Sequence, residues 1–384
     1  MKLLIFSPYY PPHTGGLESH SDEFNRHLAE EGVHITVFTP RLPITVPPLE
    51  TRFERVQVIR FPAIELIPNY PLPKFWQREF WHLWRELHQE HYDLVLSRTR
   101  FFFTSLMAWR YARKNVLPWV HIEHGSDFAT FNGRLKTALG KLYDYTLGSF
   151  VLRESDANIA NSQASRDFVG KLSHRKDCSV IYRGVEKEII ESVAPHQFFA
   201  THFSGKTVVG FIGRLIDGKG VFDLVEAFSN LTTDTSICAI IGDGPERARL
   251  EKFIAQKKIS DKVVLLGEKP FTEAMALMKS FDIFINPSYT EGIPTAVIEA
   301  ALCRKAIIAT NVGGTNEIIS GNGDGFLIAS YDTNDLQKKL ALLIQDPSLR
   351  QTFGEQAFAS VQSKFDWDHA TKQYLNLFNS ILKK

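Results

Sequence analysis

Cysteine is scarce in this chain: Cys178, Cys238 and Cys303 are three in number and far apart. An odd, scattered set gives no disulfide framework, no C-x-x-C pair and no Cys/His metal pattern. The three read as reduced thiols and small buried apolar residues of a cytosolic protein. Net charge is nearly absent as well, since 44 Lys and Arg against 43 Asp and Glu leave +1. No global field then favours nucleic acid or a strongly acidic partner. Electrostatic recognition must be local, at a bound diphosphate or at a membrane surface met by one patch. No apolar run approaches the roughly 20 residues of a membrane span. The apolar start, Leu3-Leu4-Ile5-Phe6, is too short for a signal peptide and soon meets Pro8, Pro11 and Pro12. The expected location is the cytoplasm.

What is present fits a soluble globular protein: 44% apolar and 23% charged residues, with a length of 384 that accommodates two domains. Short apolar runs alternate with longer mixed segments, the signature of β/α units on a parallel sheet. The first half offers strands at Leu3–Phe6, His34–Phe38, Val56–Arg60, Leu94–Ser97, Trp119–Ile122 and Asn158–Ala160. Helical patterns fall at Gly16–Glu30, Lys74–Glu90, Thr104–Lys114 and Leu135–Glu154, while the Pro-rich Arg41–Phe53 reads as a loop. A second strand series follows Gly205: Thr207–Ile212, Ile237–Ile241, Val263–Leu266, Asp282–Asn286, Ala306–Ala309 and Phe326–Ile328. The stretch Gly184–Gly205 reads as a linker, and two helical segments, Thr333–Ser363 and Asp366–Leu382, close the chain. The expected fold is α/β: two Rossmann-like, doubly wound domains facing across a cleft. They span residues 1–190 and 200–365, with 366–384 assigned to pack back on the first. Ligands of such sheets bind beyond the carboxyl ends of the strands, so the chemistry belongs in the loops that follow them.

The most informative of those loops holds Glu291 and Glu299 on either side of Gly292-Ile293-Pro294. Pro294 reads as the first position of a helix, where a missing N–H costs nothing. The helix entrance then offers the amides of Thr295 and Ala296 beside two carboxylates. Amides bind phosphate oxygens and carboxylates accept hydrogen bonds from hydroxyls, which suits a nucleotide sugar. In Gly213-Arg214-Leu215-Ile216-Asp217-Gly218-Lys219-Gly220, a guanidinium and an ammonium stand either side of a turn. Two such cations neutralise a diphosphate. Other loops carry Gly15-Gly16, His124-Gly125, Gly242-Asp243-Gly244-Pro245 and Val312-Gly313-Gly314. Taken singly, the Gly pair and Gly242-x-Gly244 are equally tight turns, and His124 is equally a strand-end histidine. With the Gly213–Gly220 loop these make five Gly-bearing loops after five strands, which say more together than any one of them.

In that order these motifs resemble glycosyltransferase family 4, retaining enzymes of the GT-B fold, over nearly the whole chain. The resemblance implies a hexosyl transfer from a UDP- or GDP-linked sugar to an acceptor hydroxyl on a sugar, glycan or lipid-linked carrier. Inversion is avoided by a front-face displacement in which the leaving phosphate assists the acceptor. It implies no metal ion and no resident cofactor. Carried over by position, Arg214 and Lys219 bind the donor diphosphate, Glu299 the ribose, and Glu291 the sugar hydroxyls, helped by the backbone from Gly292 to Ala296. Gly15, Gly16, Gly213 and Gly244 lie against the donor, and His124 sits near the reacting sugar. Arg183-Gly184-Val185-Glu186 departs from the family's Asn-Gly-Val-Asp.

Both glutamates come from one motif, whereas glycosidases place two carboxylates across the scissile bond; hydrolysis is therefore disfavoured. A nucleotide-sugar epimerase of the same architecture and a non-catalytic sugar-nucleotide-binding module are the competing readings. On the acceptor side, Trp76, Phe80, Trp81 and Trp84 occur with Lys74, Arg78 and Arg85, and Arg98, Arg100, Arg110, Arg113 and Lys114 follow around Phe101–Phe103. This mixture suits a surface meeting anionic lipid at the inner face of the cell membrane; the alternative is aromatic core with solvated cations.

Overall fold

Strands form where β-branched and aromatic residues run together. In the computed structural model, residues 1–13, 15–67, 70–128, 134–231 and 234–383 are described. They divide into two compact units: Met1–Arg183 together with the segment from Trp367 onward, and Gly184–Asp366.

The first unit holds β1 (Lys2–Phe6), β2 (His34–Pro40), β3 (Leu49–Arg52), β4 (Val56–Phe61), β5 (Ala63–Ile67), β6 (Tyr70–Pro73), β7 (Leu94–Arg98), β8 (Trp119–Glu123), β9 (Ala157–Ala160) and β10 (Cys178–Val180). Eight of them make one sheet in the order β10-β9-β8-β7-β1-β2-β4-β3, and β5 pairs with β6 separately. The strand period of two sends alternate residues to opposite faces. Leu3 and Ile5 accordingly pack with Phe24 of the helix Gly16–Glu30. Leu4 and Phe6 pack on the other side with Phe80 and Tyr111. The helix Trp367–Leu382 buries Trp367, Ala370, Tyr374 and Phe378, a single face by their spacing, in the same cluster as Leu3 and Ile5.

The second unit holds β11 (Thr207–Ile212), β12 (Ser236–Ile241), β13 (Val263–Gly267), β14 (Ile283–Asn286), β15 (Ala306–Thr310) and β16 (Phe326–Ile328). The order is β13-β12-β11-β14-β15-β16, parallel throughout. The winding direction reverses between β11 and β14, so a crevice opens there at the carboxyl edge. In the first unit the same reversal falls between β7 and β1.

Several expectations need correction. Arg41–Phe53 is not all loop: Leu49–Arg52 forms an edge strand antiparallel to β4. With one face in water it carries no apolar run. Leu135–Glu154 is helical throughout, from Arg134 to Glu154, but it contains a π-helical turn at Asp144–Gly148 that the pattern does not announce. Thr333–Ser363 is broken at Asp346, which caps the helix beginning at Pro347. The stretch Gly184–Gly205 contains the helices Lys187–Ser192 and Phe198–His202. Lys279 donates to the carbonyl of Val193 at 2.6 Å, and the amide of His196 donates to Ala276 at 2.9 Å. This stretch is therefore packed into the second unit rather than strung as a free linker. Pro294 is the residue before the helix Thr295–Leu302, with extended ψ of 103°, not its first turn.

Candidate functional site

In the second unit, the loops that follow β11 and β14 meet at the reversal point. The turn Asp217–Lys219 is closed by Gly220 at φ 62°, where a Cβ would lie 2.0 Å from the Pro287 carbonyl oxygen. Only glycine tolerates both constraints. The amide of Tyr289 donates to Gly218 at 2.9 Å, which ties the two loops together. The result is an ion pair, Lys219 Nζ to Glu291 Oε1 at 2.6 Å, with the lysine side chain 28% exposed and the glutamate 10%. An ammonium has three N–H donors, so Lys219 keeps two beyond the bond to Glu291. Arg214, earlier on the same loop, is exposed and has no ion pair among the described residues.

The other loops brace this pair. The amide of Gly314, after β15, donates to the Gly292 carbonyl at 2.8 Å. The Pro294 carbonyl accepts from Val297 at 3.1 Å and Ile298 at 3.4 Å. The amides of Thr295 and Ala296 occupy the first two helical positions, which have no carbonyl one turn back within the helix. Ile293 is buried, so its side chain anchors the loop. Glu299, one turn into the helix, is half-buried. Gly242 and Gly244 have a packing reason of their own. A Cβ on Gly242 would stand 1.9 Å from the Gly213 carbonyl oxygen, and one on Gly244 2.4 Å from that of Leu215. These glycines seat the loop after β12 against the loop after β11. The structure thus brings Lys219, Glu291, Gly292 and the helix entrance together.

In the first unit, Gly15 and Gly16 precede and open the helix Gly16–Glu30; Thr14 lies outside the described residues. A Cβ on Gly16 would meet no described atom within 4 Å, whereas one on Gly15 would be 2.5 Å from Glu18. Glu18 in turn holds His13 at 2.5 Å. Gly16 is the open position and Gly15 the one fixed by its neighbour.

His124 follows β8, and its backbone is placed by a residue that sequence reasoning passed over. Glu123, buried, accepts from the amides of His124 at 3.0 Å and Gly125 at 2.7 Å. Its charge is balanced by Arg100, which pairs with Glu123 at 3.0 Å and with Asp144 at 2.9 Å. Burial pushes the Glu123 carboxyl up, but the Arg100 guanidinium and the His121 ring outweigh it and hold the group well below the usual carboxylate range. Residues 100, 123 and 144 are too distant in sequence for any spacing rule to join them. Arg98 and Arg100, expected near a lipid-facing patch, are both buried. So is Phe80, whereas Trp76 and Trp81 are exposed.

The His124 ring lies against that of His20, 4.9 Å between centroids and edge to face. His20 Nδ1 is 3.1 Å from the Arg98 guanidinium. Burial, and then the Arg98 charge, push His124 down to about 3. The ring is neutral at pH 7, able to hydrogen-bond a hydroxyl without contributing charge. In a two-dimensional nitrogen NMR titration, His124 is expected to show no protonation between pH 7 and 5. A midpoint near 6.5 would contradict that environment. The unfolded histidine takes a proton near 6.5. This residue's contribution to stability is therefore complete above that pH and declines as pH falls toward 3.

All three cysteines are free and buried, and burial pushes each thiol up to about 12. Among the described residues no cluster of three or more His, Cys, Asp or Glu could hold a metal ion, and no helix is long and apolar enough to cross a membrane.

Comparison with solved structures gives the class. Sucrose-phosphate synthase of Thermosynechococcus elongatus superposes with a TM-score of 0.84 at 20% identity, over 100% of this chain and 99% of that one. Anabaena HepE, solved in complex with UDP-glucose, gives 0.78 at 19% identity, over 99% and 100%. The fold is the GT-B type, with two Rossmann-like domains. The family follows from sequence. Residues 14–189 match the model of Glycosyltransferase Family 4 and residues 194–360 that of Glycosyl transferases group 1. A protein of Methanocaldococcus jannaschii described as an uncharacterized glycosyltransferase is 34% identical over 100% of this chain and 99% of its own length. The chain belongs to this family and is a glycosyltransferase.

Proposed function

We propose that the protein is a retaining, metal-independent hexosyltransferase that uses a UDP- or GDP-linked sugar and glycosylates a hydroxyl of a glycan or lipid-linked sugar. The observation that carries this reading is the Lys219–Glu291 pair at the reversal point of the second sheet. One loop offers a cation with unused donors and the other a carboxylate beside a helix entrance. The leaving group of such a reaction is a diphosphate, and stabilising its growing charge is the largest catalytic contribution available. Lys219, Arg214 and the amides of Thr295 and Ala296 are assigned to that role, without a metal. Glu291 takes the sugar hydroxyls, with the backbone of Gly292 to Ala296, and Glu299 takes the ribose. Gly213 and Gly244 border the donor. On the first unit, Gly15, Gly16 and neutral His124 are assigned to the transferred sugar. That HepE was solved with UDP-glucose supports a uridine donor. The protein is placed in the cytoplasm, with a peripheral contact at the membrane.

The test is a panel of UDP- and GDP-sugars assayed for nucleotide release with and without simple glycoside acceptors. One donor is expected to turn over, slowly alone and faster with an acceptor, to give an α-linked product from an α-linked donor. Conversion of the donor to an isomeric nucleotide sugar, with no glycoside formed, would instead identify an epimerase. Binding without any product would indicate a sugar-nucleotide-binding module.

A further inference from the structure

Among the described residues four arginines are buried: Arg60, Arg98, Arg100 and Arg183. A guanidinium taken out of water needs a counter-charge, because its desolvation is otherwise uncompensated. Three of them have one. Arg60 pairs with Glu50 at 2.5 Å, Arg100 with Glu123 at 3.0 Å and Asp144 at 2.9 Å, and Arg183 with Glu23 at 2.8 Å. Arg98, the last residue of β7, has no carboxylate partner among the described residues. Burial pulls its guanidinium down to about 10, which leaves it charged at pH 7.

The contacts that Arg98 does make use only part of it. Nη1 lies 3.1 Å from His20 Nδ1. Arginine only donates, so the imidazole accepts and this donor is spent on a neutral ring. The cation also lies over the face of Phe24, 4.5 Å from its centroid, an attraction that uses no hydrogen bond. Nε and Nη2 are buried and have no partner among the described residues. These two nitrogens make up one edge of the guanidinium plane, and such an edge grips an anion in two-pronged fashion. Tyr374, of the helix Trp367–Leu382, packs edge to face on the same Phe24 at 4.8 Å. Its hydroxyl is likewise buried without a partner. Burial pushes that hydroxyl up to about 12 against the opposing pull of the Arg98 charge, so the two groups lie within electrostatic reach.

A water molecule would accept from these donors but bring no charge. An anionic group on a substrate or a macromolecule could not reach side chains that are at most 1% exposed. A small free anion meets both requirements, and one uncompensated cation calls for a single negative charge. We propose that the first unit binds one monovalent anion of the chloride class on the Nε–Nη2 edge of Arg98, with the Tyr374 hydroxyl as a third donor. The ion ties the end of β7 to the helix Trp367–Leu382 and fastens that helix to the sheet. This stands apart from the transfer reading, which assigns neither residue a role.

The experiment follows thermal unfolding of the full chain as sodium chloride replaces sodium gluconate at constant ionic strength. A ligand of the folded state alone stabilises by mass action, so the parent's Tm is expected to climb with the logarithm of chloride. Arg98→Met removes the charge and the edge, and its Tm should not follow chloride. Tyr374→Phe deletes only a hydroxyl and reads the site even where Arg98→Met does not fold. Its apparent Kd for chloride should be roughly fivefold higher, the loss of one hydrogen bond. Crystals soaked in bromide should show an anomalous peak at Arg98 Nε and Nη2. Four results would overturn the proposal: a parent indifferent to chloride, the parent's full response in Arg98→Met, an unchanged Kd in Tyr374→Phe, or no bromide at Arg98.

Discussion

Replacing Lys219 by Ala is expected to lower kcat for transfer by about a hundred- to a thousandfold, the loss typical of one donor that stabilises a developing oxyanion. The reasoning is electrostatic. Lys219 is held by its turn and by Glu291 at 2.6 Å, so no reorganisation is needed when the diphosphate departs. The side chain is 28% exposed, and its removal creates no core cavity, so the far-ultraviolet spectrum and melting temperature should stay close to those of the parent. Glu291→Gln is expected to behave differently. It removes a charge that holds both Lys219 and, in the proposed role, the sugar hydroxyls, so KM for the donor should rise along with the fall in kcat. Steady-state kinetics on the donor identified by the panel separates the two patterns. Normal turnover in Lys219→Ala would remove this residue from the mechanism.

The second large effect is on stability. Arg100→Ala is expected to cost about 3–5 kcal/mol, because it leaves partners buried and uncompensated rather than deleting a neutral contact. Arg100, Glu123 and Asp144 are all buried. Two carboxylates would remain without their cation, and one of them, Glu123, orders the backbone of His124 and Gly125. Urea unfolding followed across pH measures the effect. At high pH the carboxylates left behind are charged, and the penalty is complete. Without Arg100, burial raises these carboxyls, so in the variant they take up protons while pH is still above the ordinary carboxylate range, and the gap to the parent narrows as pH falls. In the parent the depressed Glu123 contributes stability above the unfolded carboxylate pKa, and that contribution is lost as pH falls. Arg100→Lys keeps the charge but not the two-pronged geometry, so an intermediate loss is expected. A loss below about 1 kcal/mol for Arg100→Ala, at the level of an exposed pair, would show that the cluster is not what holds this corner.

How much of this was legible beforehand depends on the range of each interaction. The twelve strands proposed from apolar runs are all present, because a buried parallel strand is written in consecutive residues. The edge strand Leu49–Arg52 escaped, since half its residues face water. So did the π-helical turn at Asp144–Gly148, where the helical pattern continues while the backbone widens. In the candidate site, Lys219, Glu291 and the helix entrance were readable because short motifs carry them. Their convergence was not readable; it needed the reversal between β11 and β14 and the close contact of Gly220 with Pro287. Glu123 was overlooked beside its more conspicuous neighbour His124. Arg100 looked like a surface cation because a sequence does not display carboxylates more than 20 residues away, and Arg98 because its contact, the His20 ring, is as remote.

The central claim is that the loops after β11 and β14 receive a nucleoside diphosphate on Arg214 and Lys219. Isothermal calorimetry with UDP and with GDP tests it without any knowledge of sugar or acceptor. One of the two should bind the parent protein, and the folded Arg214→Ala Lys219→Ala variant should bind it at least tenfold more weakly. Failure of both nucleotides to bind the parent, or equal affinity in parent and variant, would contradict it.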